Sequence, residues 1–132
     1  MSARAIYADK FISIPEAVAK VQSHQTIGVA IAASEPFGLL TELAKHKERL
    51  QGVHTWVCLP MRAYDYAIQP EMENSFFVEN WFYGAADRKV HPQGRTSYIP
   101  NNLHRAAADK LYASKGKLNV FWGTATPSDE RG

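Results

Sequence analysis

At residues 26–32 the chain reads TIGVAIA, a nearly continuous apolar run that is rich in β-branched side chains. A strand without polar alternation is typical of a parallel sheet that is covered on both faces. A helix with Ser34 as its N-cap is predicted next, and a second apolar strand is predicted over Val53–Leu59. Strand, helix and strand within about 34 residues predict a βαβ unit with a right-handed crossover.

The flanking sequence extends this unit on both sides. Ser13 and Glu16 have the spacing of a capping box, which predicts a helix over residues 14–23. The later segments are predicted to be an aromatic-rich stretch (75–83), a long connection (85–98), a helix (103–113) and a last strand (118–123). We therefore predict an α/β fold: an open, mostly parallel sheet with covering helices.

The composition is that of one globular domain with ordinary charge. The chain has 132 residues, of which 45% are hydrophobic and 21% charged, and its net charge is +2. This length fits a single domain over residues 1–132, and the small net charge predicts no nucleic-acid partner. No apolar run approaches the roughly 18 residues of a membrane helix, so no membrane association is expected. The single cysteine, Cys58, indicates a reducing compartment, so we expect a cytoplasmic protein.

Three segments follow predicted strand ends, namely 33–38, 60–64 and 124–132. Because the carboxyl ends of parallel strands meet at one edge of a sheet, where open α/β folds bind ligands, these segments predict a site at that edge. The first segment also opens a helix, whose free backbone N–H groups favour an anionic or carbonyl group. Each segment taken singly is also explained as an ordinary connecting turn.

Standard catalytic and cofactor motifs are absent from the sequence. It contains no GxGxxG, Walker, HExxH or GxSxG motif, and its histidines lack metal-ligand spacing. We therefore predict no metal and no tightly bound cofactor. Cys58 is interpreted as a small buried apolar residue. The aromatic stretch 75–83 has two interpretations, as core or as a surface that faces a partner.

Three groups of motifs, taken in order, resemble a known family. They are IPEAV (14–18) with IGVA (27–30) and SEPFGLL (34–40), then the segment 77–94 with YIPNNL (98–103), and finally LNV (118–120) with TPSDERG (126–132). In this order the chain resembles the amino-terminal part of the acetyl-CoA hydrolase/transferase family, which includes 4-hydroxybutyrate CoA-transferases. The resemblance spans nearly the whole chain.

The resemblance implies a fold of two related α/β domains with the active site between them, this chain being the amino-terminal half. It implies that a glutamate attacks an acyl-CoA thioester and that CoA then passes to a carboxylate, or that water hydrolyses the intermediate. The nucleophile belongs to the second half, so no catalytic residue is assigned here and the fragment alone is expected to be inactive. The implied cleft residues are Ser34, Glu35, Pro36, Gly38, Arg88, Pro127, Asp129 and Gly132.

The implied partners are an acyl-CoA substrate, a small carboxylate and the missing second domain. A homodimer is also expected, because removal of a partner domain leaves an apolar face exposed. The alternative interpretation is a self-contained α/β protein-interaction module that holds its partner through the aromatic stretch. A flavodoxin-like nucleotide binder is less well supported, since no phosphate loop is visible.

Overall fold

The computed structural model describes residues 7–106, 108–109 and 118–127. Within them, five strands form one sheet in the order β4-β3-β2-β1-β5, and every neighbouring pair is parallel. The strands are β1 (Thr26–Val29), β2 (Val53–Val57), β3 (Phe76–Asn80), β4 (Thr96–Tyr98) and β5 (Val120–Trp122). The helices are α1 (Ile14–Ala19), α2 (Phe37–Leu43), α3 (Asp65–Ile68) and α4 (Ala85–Val90). Single 3₁₀ turns lie at Ala8–Lys10, Ala32–Ser34, Ala44–His46, Pro70–Met72 and His91–Gln93. The predicted α/β parallel-sheet fold is confirmed.

The main core lies on the face of the sheet that the helices cover. Ile27, Val53 and Val78 from the three central strands are buried there against Val18 of α1 and Leu40 of α2. Alternate strand residues point to opposite faces, so the register places Trp56 beside Gly28 on the other face. On that second face Phe77 and Phe121 are exposed. The aromatic stretch 75–83 therefore divides, with Phe76 in the core and Phe77 at the surface.

The capping box predicted for the first helix is present. The backbone N–H of Ser13 donates to Glu16 Oε2 at 2.7 Å, and the N–H of Glu16 donates to Ser13 Oγ at 3.3 Å. The helix ends at Ala19, four residues before the predicted end. The guanidinium of Arg49, from the segment before β2, donates to the carbonyl of Val18 in the last turn and to that of Val21, two residues beyond the helix.

The prediction that Ser34 caps the second helix is wrong. Ser34 ends a 3₁₀ turn, and α2 begins at Phe37 without a side-chain cap. The physical reason is Pro36, whose ring disfavours helical backbone at the residue before it. Glu35 is accordingly extended, with φ −62° and ψ 124°, and separates the turn from the helix.

The predicted connection over 85–98 is also wrong, because it contains α4 and β4. The strands β1 and β2 end at Val29 and Val57, before their predicted ends at Ala32 and Leu59, which adopt a left-handed backbone with φ 51°. Of the helix predicted over 103–113, Ala106, Ala108 and Asp109 are helical, and residues 107 and 110–113 lie outside the described residues.

Cys58 is buried as predicted, and burial raises the pKa of its thiol. None of the helices described here combines the length and apolar character that a membrane span requires.

Candidate functional site

The strand order creates a topological switch point between β1 and β5. From β1 the chain adds β2, β3 and β4 in succession on one side, whereas β5 pairs with the opposite side of β1. At such a point the connections after the two adjacent strands diverge and leave a crevice at their carboxyl ends, where open α/β sheets bind ligands. The sheet itself thus indicates one place for a site.

A cleft of about 590 Å³ lies at this position, and we call it the switch-point cleft. It is lined by residues from the segments after β1, β2 and β5, together with the first residue of α1. These residues are Ile14, Ala32, Ala33, Glu35, Pro36, Phe37, Gly38, Leu39, Met61, Arg62, Gly123 and Thr124. Most of them are apolar, so the cleft suits an apolar chemical group with few polar contacts.

Glu35 connects the three segments. Its Oε2 accepts the backbone N–H of Met61 at 3.3 Å, which joins the segment after β1 to that after β2. Its carbonyl oxygen accepts the hydroxyl of Thr124 at 3.2 Å, and the N–H of Thr124 donates to the carbonyl of Ser34 at 2.8 Å. The walls of the cleft are therefore held together by hydrogen bonds centred on one residue.

Backbone strain marks two of the turns that form the cleft. Ala32 and Leu59 have positive φ, which L-residues other than glycine, asparagine and aspartate rarely adopt. Such conformations cost roughly 1–3 kcal/mol each and persist where the surrounding contacts fix them. Ala32 itself lines the cleft, and Leu59 lies two residues before Met61, which also lines it.

Two charged or ionisable neighbours define the electrostatics of the cleft. The exposed guanidinium of Arg62 lies over the ring of Phe37, 4.6 Å from the ring centroid. Behind Glu35, the hydroxyl of Tyr64 is buried close to the Glu35 carboxylate. Burial, and secondarily the nearby Glu35 carboxylate, raises the pKa of Tyr64 far above its usual range. The phenol is therefore neutral at all ordinary pH values.

A second pocket, of about 420 Å³, adjoins the cleft and shares Met61 and Arg62 with it. Lys89 of α4 also lines this pocket, so two cations meet at its wall. A ligand longer than the cleft can extend into this pocket and place anionic groups near Arg62 and Lys89.

The structure brings together some of the residues predicted from the sequence. Glu35, Pro36 and Gly38 line the switch-point cleft, and Ser34 binds Thr124 at its edge through its backbone carbonyl. Pro127 is exposed and does not contribute to the lining. Asp129 and Gly132 lie outside the described residues.

Arg88 is not brought to the switch-point cleft. It donates to the carbonyl of Tyr83 at 3.3 Å and lines a separate pocket with Phe82, His91 and Tyr98. The physical reason is its place on α4, which follows β3, two strands away from the β1/β5 junction.

Several lining residues were not singled out from the sequence, notably Ile14, Phe37, Met61, Arg62 and Thr124. Met61, Arg62 and Thr124 lie within segments already predicted to meet at the carboxyl edge of the sheet. The rule that ligands bind at this edge could therefore have identified them. Phe37 likewise lies within the first of these segments, 33–38, whereas Ile14 had no comparable signal, since it approaches the cleft through the packing of α1 against α2.

Comparisons with known proteins agree with this fold. The chain is 28% identical over 95 residues to 4-hydroxybutyrate coenzyme A transferase of Clostridium kluyveri, which covers 72% of this chain and 22% of that protein. It superposes on RipA from Yersinia pestis with a TM-score of 0.79 at 25% identity, over 100% of this chain and 33% of that chain. A point variant of RipA superposes with a TM-score of 0.84 at 25% identity, over 100% and 32% of the two chains.

The chain therefore spans about a fifth to a third of the length of these relatives. The sequence profile that describes the acetyl-CoA hydrolase/transferase N-terminal domain matches residues 1–132. With the profile covering every residue and the fold agreeing, the chain belongs to the acetyl-CoA hydrolase/transferase family and represents its N-terminal domain.

Proposed function

We propose that this chain is the amino-terminal half of an acyl-CoA:carboxylate CoA-transferase or acetyl-CoA hydrolase, and that the switch-point cleft holds the acyl part of the thioester. The observation that carries the proposal is the convergence of the segments after β1, β2 and β5 around one apolar cleft. Family membership and the name of the clostridial relative support the choice of chemistry.

The lining residues have binding roles in this proposal. Ile14, Phe37 and Leu39 surround the acyl chain and exclude water from the thioester. Arg62 and Lys89, at the adjoining pocket, attract the phosphate groups of CoA. Cys58 takes no part, because burial raises the pKa of its thiol and keeps it protonated.

The nucleophile in this proposal is a glutamate carried by the second domain, outside the 132 residues. Its carboxylate attacks the thioester carbonyl and displaces CoA thiolate, which forms an acyl–glutamyl anhydride. The thiolate then attacks the glutamyl carbonyl, which releases the acyl carboxylate and leaves an enzyme–CoA thioester. An acceptor carboxylate or water resolves that thioester.

The proposal is tested by following amide shifts of the ¹⁵N-labelled chain while acetyl-CoA is added. We expect shifts at Gly38 and Gly123 in the cleft, and none at Gly52 and Gly94, which precede β2 and β4 at the opposite edge. Mixed with acetyl-CoA and butyrate, the same chain is expected to form no butyryl-CoA. Shifts confined to the opposite edge would contradict the proposed site, and CoA transfer would contradict the external nucleophile.

A second candidate function is a protein-interaction module, favoured by the exposed aromatic side chains Phe77 and Phe121 on the sheet face opposite α1 and α2. The same surface supports the proposal that the chain forms a homodimer or packs against its second domain. Sedimentation of the chain and of the double variant Phe77→Ser with Phe121→Ser distinguishes the candidates. An interaction module loses its association in the variant and shows no acetyl-CoA shifts at Gly38.

We further propose a cytoplasmic location and no tightly bound cofactor other than the CoA thioester substrate. The location is supported by the single, buried Cys58, which is typical of a reducing compartment.

A further inference from the structure

Glu35 is the only acid among the lining residues of the switch-point cleft that the structure describes. Its carboxylate is fixed by the N–H of Met61 at 3.3 Å, and its backbone carbonyl by the N–H of Phe37 at 3.0 Å and by Thr124. Because both ends of the residue are held, the negative charge occupies a defined position in the cleft wall.

The other charge in the lining does not neutralise Glu35 inside the cleft. Arg62 is exposed and stacks on the ring of Phe37 at the rim. Glu35 is only partly exposed. Water and salt screen an exposed charge more strongly than a partly buried one, so the interior of the cleft is negative.

Tyr64 reinforces this arrangement from behind. Its side chain is 5% exposed, and its buried hydroxyl lies close to the Glu35 carboxylate. Since the phenol is neutral, it adds no charge of its own to that of Glu35. A carboxylate ligand that approaches Glu35 therefore meets a charge of the same sign, and no buried cation is found among the described residues that line the cleft.

We infer that Glu35 is a specificity-determining residue, which makes the cleft accept neutral aliphatic acyl groups and reject acyl groups that end in a second carboxylate. The inference rests on the proposed function, because it assumes that the acyl group enters this cleft. Aliphatic carbons are stabilised by contact with Ile14, Phe37 and Leu39. A terminal carboxylate instead loses its water next to a fixed charge of the same sign.

The test compares two thioesters of similar length, butyryl-CoA and succinyl-CoA, by the amide shifts of Gly38 and Gly123. We expect the wild-type chain to bind butyryl-CoA about tenfold more tightly than succinyl-CoA. Glu35→Gln keeps an oxygen that accepts the Met61 N–H but removes the charge. In this variant we expect the affinity ratio to fall through tighter binding of succinyl-CoA, because the like-charge repulsion is removed while the loss of water by the terminal carboxylate remains.

Two control variants test whether the change in the ratio of the two affinities is specific to Glu35. Glu71→Gln makes the same charge change on an exposed turn before β3 and is expected to keep the wild-type ratio. Arg62→Gln is expected to weaken both thioesters alike, since the CoA part is common to them.

The outcomes separate this inference from the proposed function. Equal binding of both thioesters by the wild-type chain, an unchanged ratio in Glu35→Gln, or a ratio that responds to Arg62→Gln would overturn the role of Glu35 and leave the acyl-CoA site standing. Failure of both thioesters to shift any cleft amide would overturn the proposed function itself.

Discussion

Arg49 closes the carboxyl end of α1 from a distant part of the chain. Its Nη1 donates to the carbonyl of Val21 at 2.6 Å and its Nη2 to the carbonyl of Val18 at 3.2 Å. Helix ends have unpaired carbonyl groups, and a cation there also interacts favourably with the helix dipole. This single side chain thus fixes the short helix to the segment before β2.

Arg49→Ala is expected to lower the free energy of unfolding by about 1–2 kcal/mol, because two charge-assisted hydrogen bonds are lost. Urea denaturation measures the change. The control, Arg105→Ala, removes an exposed pair with Asp109 and is expected to cost less than about 0.5 kcal/mol. Equal losses in the two variants would contradict the capping role.

Asp87 is a buried carboxylate with an unfavourable charge. Burial raises its pKa, although the N–H of Gly84 donates to its Oδ2 at 2.9 Å and opposes the shift. In the unfolded chain the group has its ordinary pKa of 3.8. Between that value and the raised pKa the folded protein binds more protons, so the contribution of Asp87 to stability falls as pH rises.

Asp87→Asn is expected to remove this pH dependence while the amide oxygen still accepts the Gly84 N–H. The difference in free energy of unfolding, variant minus wild type, is therefore expected to increase as pH rises above 3.8 and to level off beyond the raised pKa. Urea denaturation at several pH values measures it. A difference that stays constant or decreases would show that burial does not dominate the pKa of the Asp87 carboxylate.

At the scale of elements, the turns that follow β2 and β3 pack directly on each other. A Cβ built on Gly84 would lie 2.5 Å from the carbonyl oxygen of Pro60, a backbone atom that cannot move aside cheaply. In contrast, a Cβ on Gly38 in α2 would lie 2.8 Å from Cδ1 of Ile14, the end of a flexible and exposed side chain.

These contacts predict opposite results for the same substitution. Gly84→Ala is expected to lower the free energy of unfolding by about 1–3 kcal/mol through overpacking. Gly38→Ala is expected to be neutral or to stabilise by up to about 1 kcal/mol, because alanine favours the helix. Thermal or urea unfolding of both variants measures this, and a larger loss at Gly38 would contradict the packing described for the two turns.

How far the elements could be predicted depended on their hydrophobic pattern. The apolar runs at β1 and β2 and the capping box at Ser13 were sufficient to predict these two strands and the first helix. Each of these signals lies within a few neighbouring residues. The helix α4 was missed because its six residues, AADRKV, are too few to show a helical apolar period. The spacing of Gly84 and Asp87 was its available signal. The start of α2 was misplaced because the effect of Pro36 on Glu35 outweighs the capping preference of Ser34.

The whole molecule has an interior strand, β2, flanked by β1 and β3, and an edge strand, β4. We expect hydrogen exchange to be slowest in β2 and clearly faster in β4, since the edge strand has one paired neighbour and three residues. Exchange measured residue by residue in the native protein provides the comparison. Protection in β4 equal to that in β2 would indicate that another surface covers the edge.

The location of the switch-point cleft could be predicted at this scale, but the residues that line it could not. Parallel strands require that their carboxyl ends share an edge, so the segments at 33–38 and 60–64 were expected together. The placement of β5 beside β1 depends on a pairing of Ile27 with Val120, which no local pattern encodes. Without knowledge of that pairing, the sequence could not show that the residues near Gly123 line the cleft. It could also not show that Arg88 lies away from it.

The pairing of β5 with β1 also has a consequence for protein synthesis. The strands β1 to β4 all lie within residues 26–98, so they leave the ribosome first and can pair with one another in order. Strand β5 emerges only after them. Thr124, which closes the cleft against Glu35, arrives with it. A nascent chain that stops before residue 118 lacks β5 and Thr124, and with them one wall of the switch-point cleft. A ligand of this cleft is therefore expected to stabilise the completed domain and not the early intermediates of its folding.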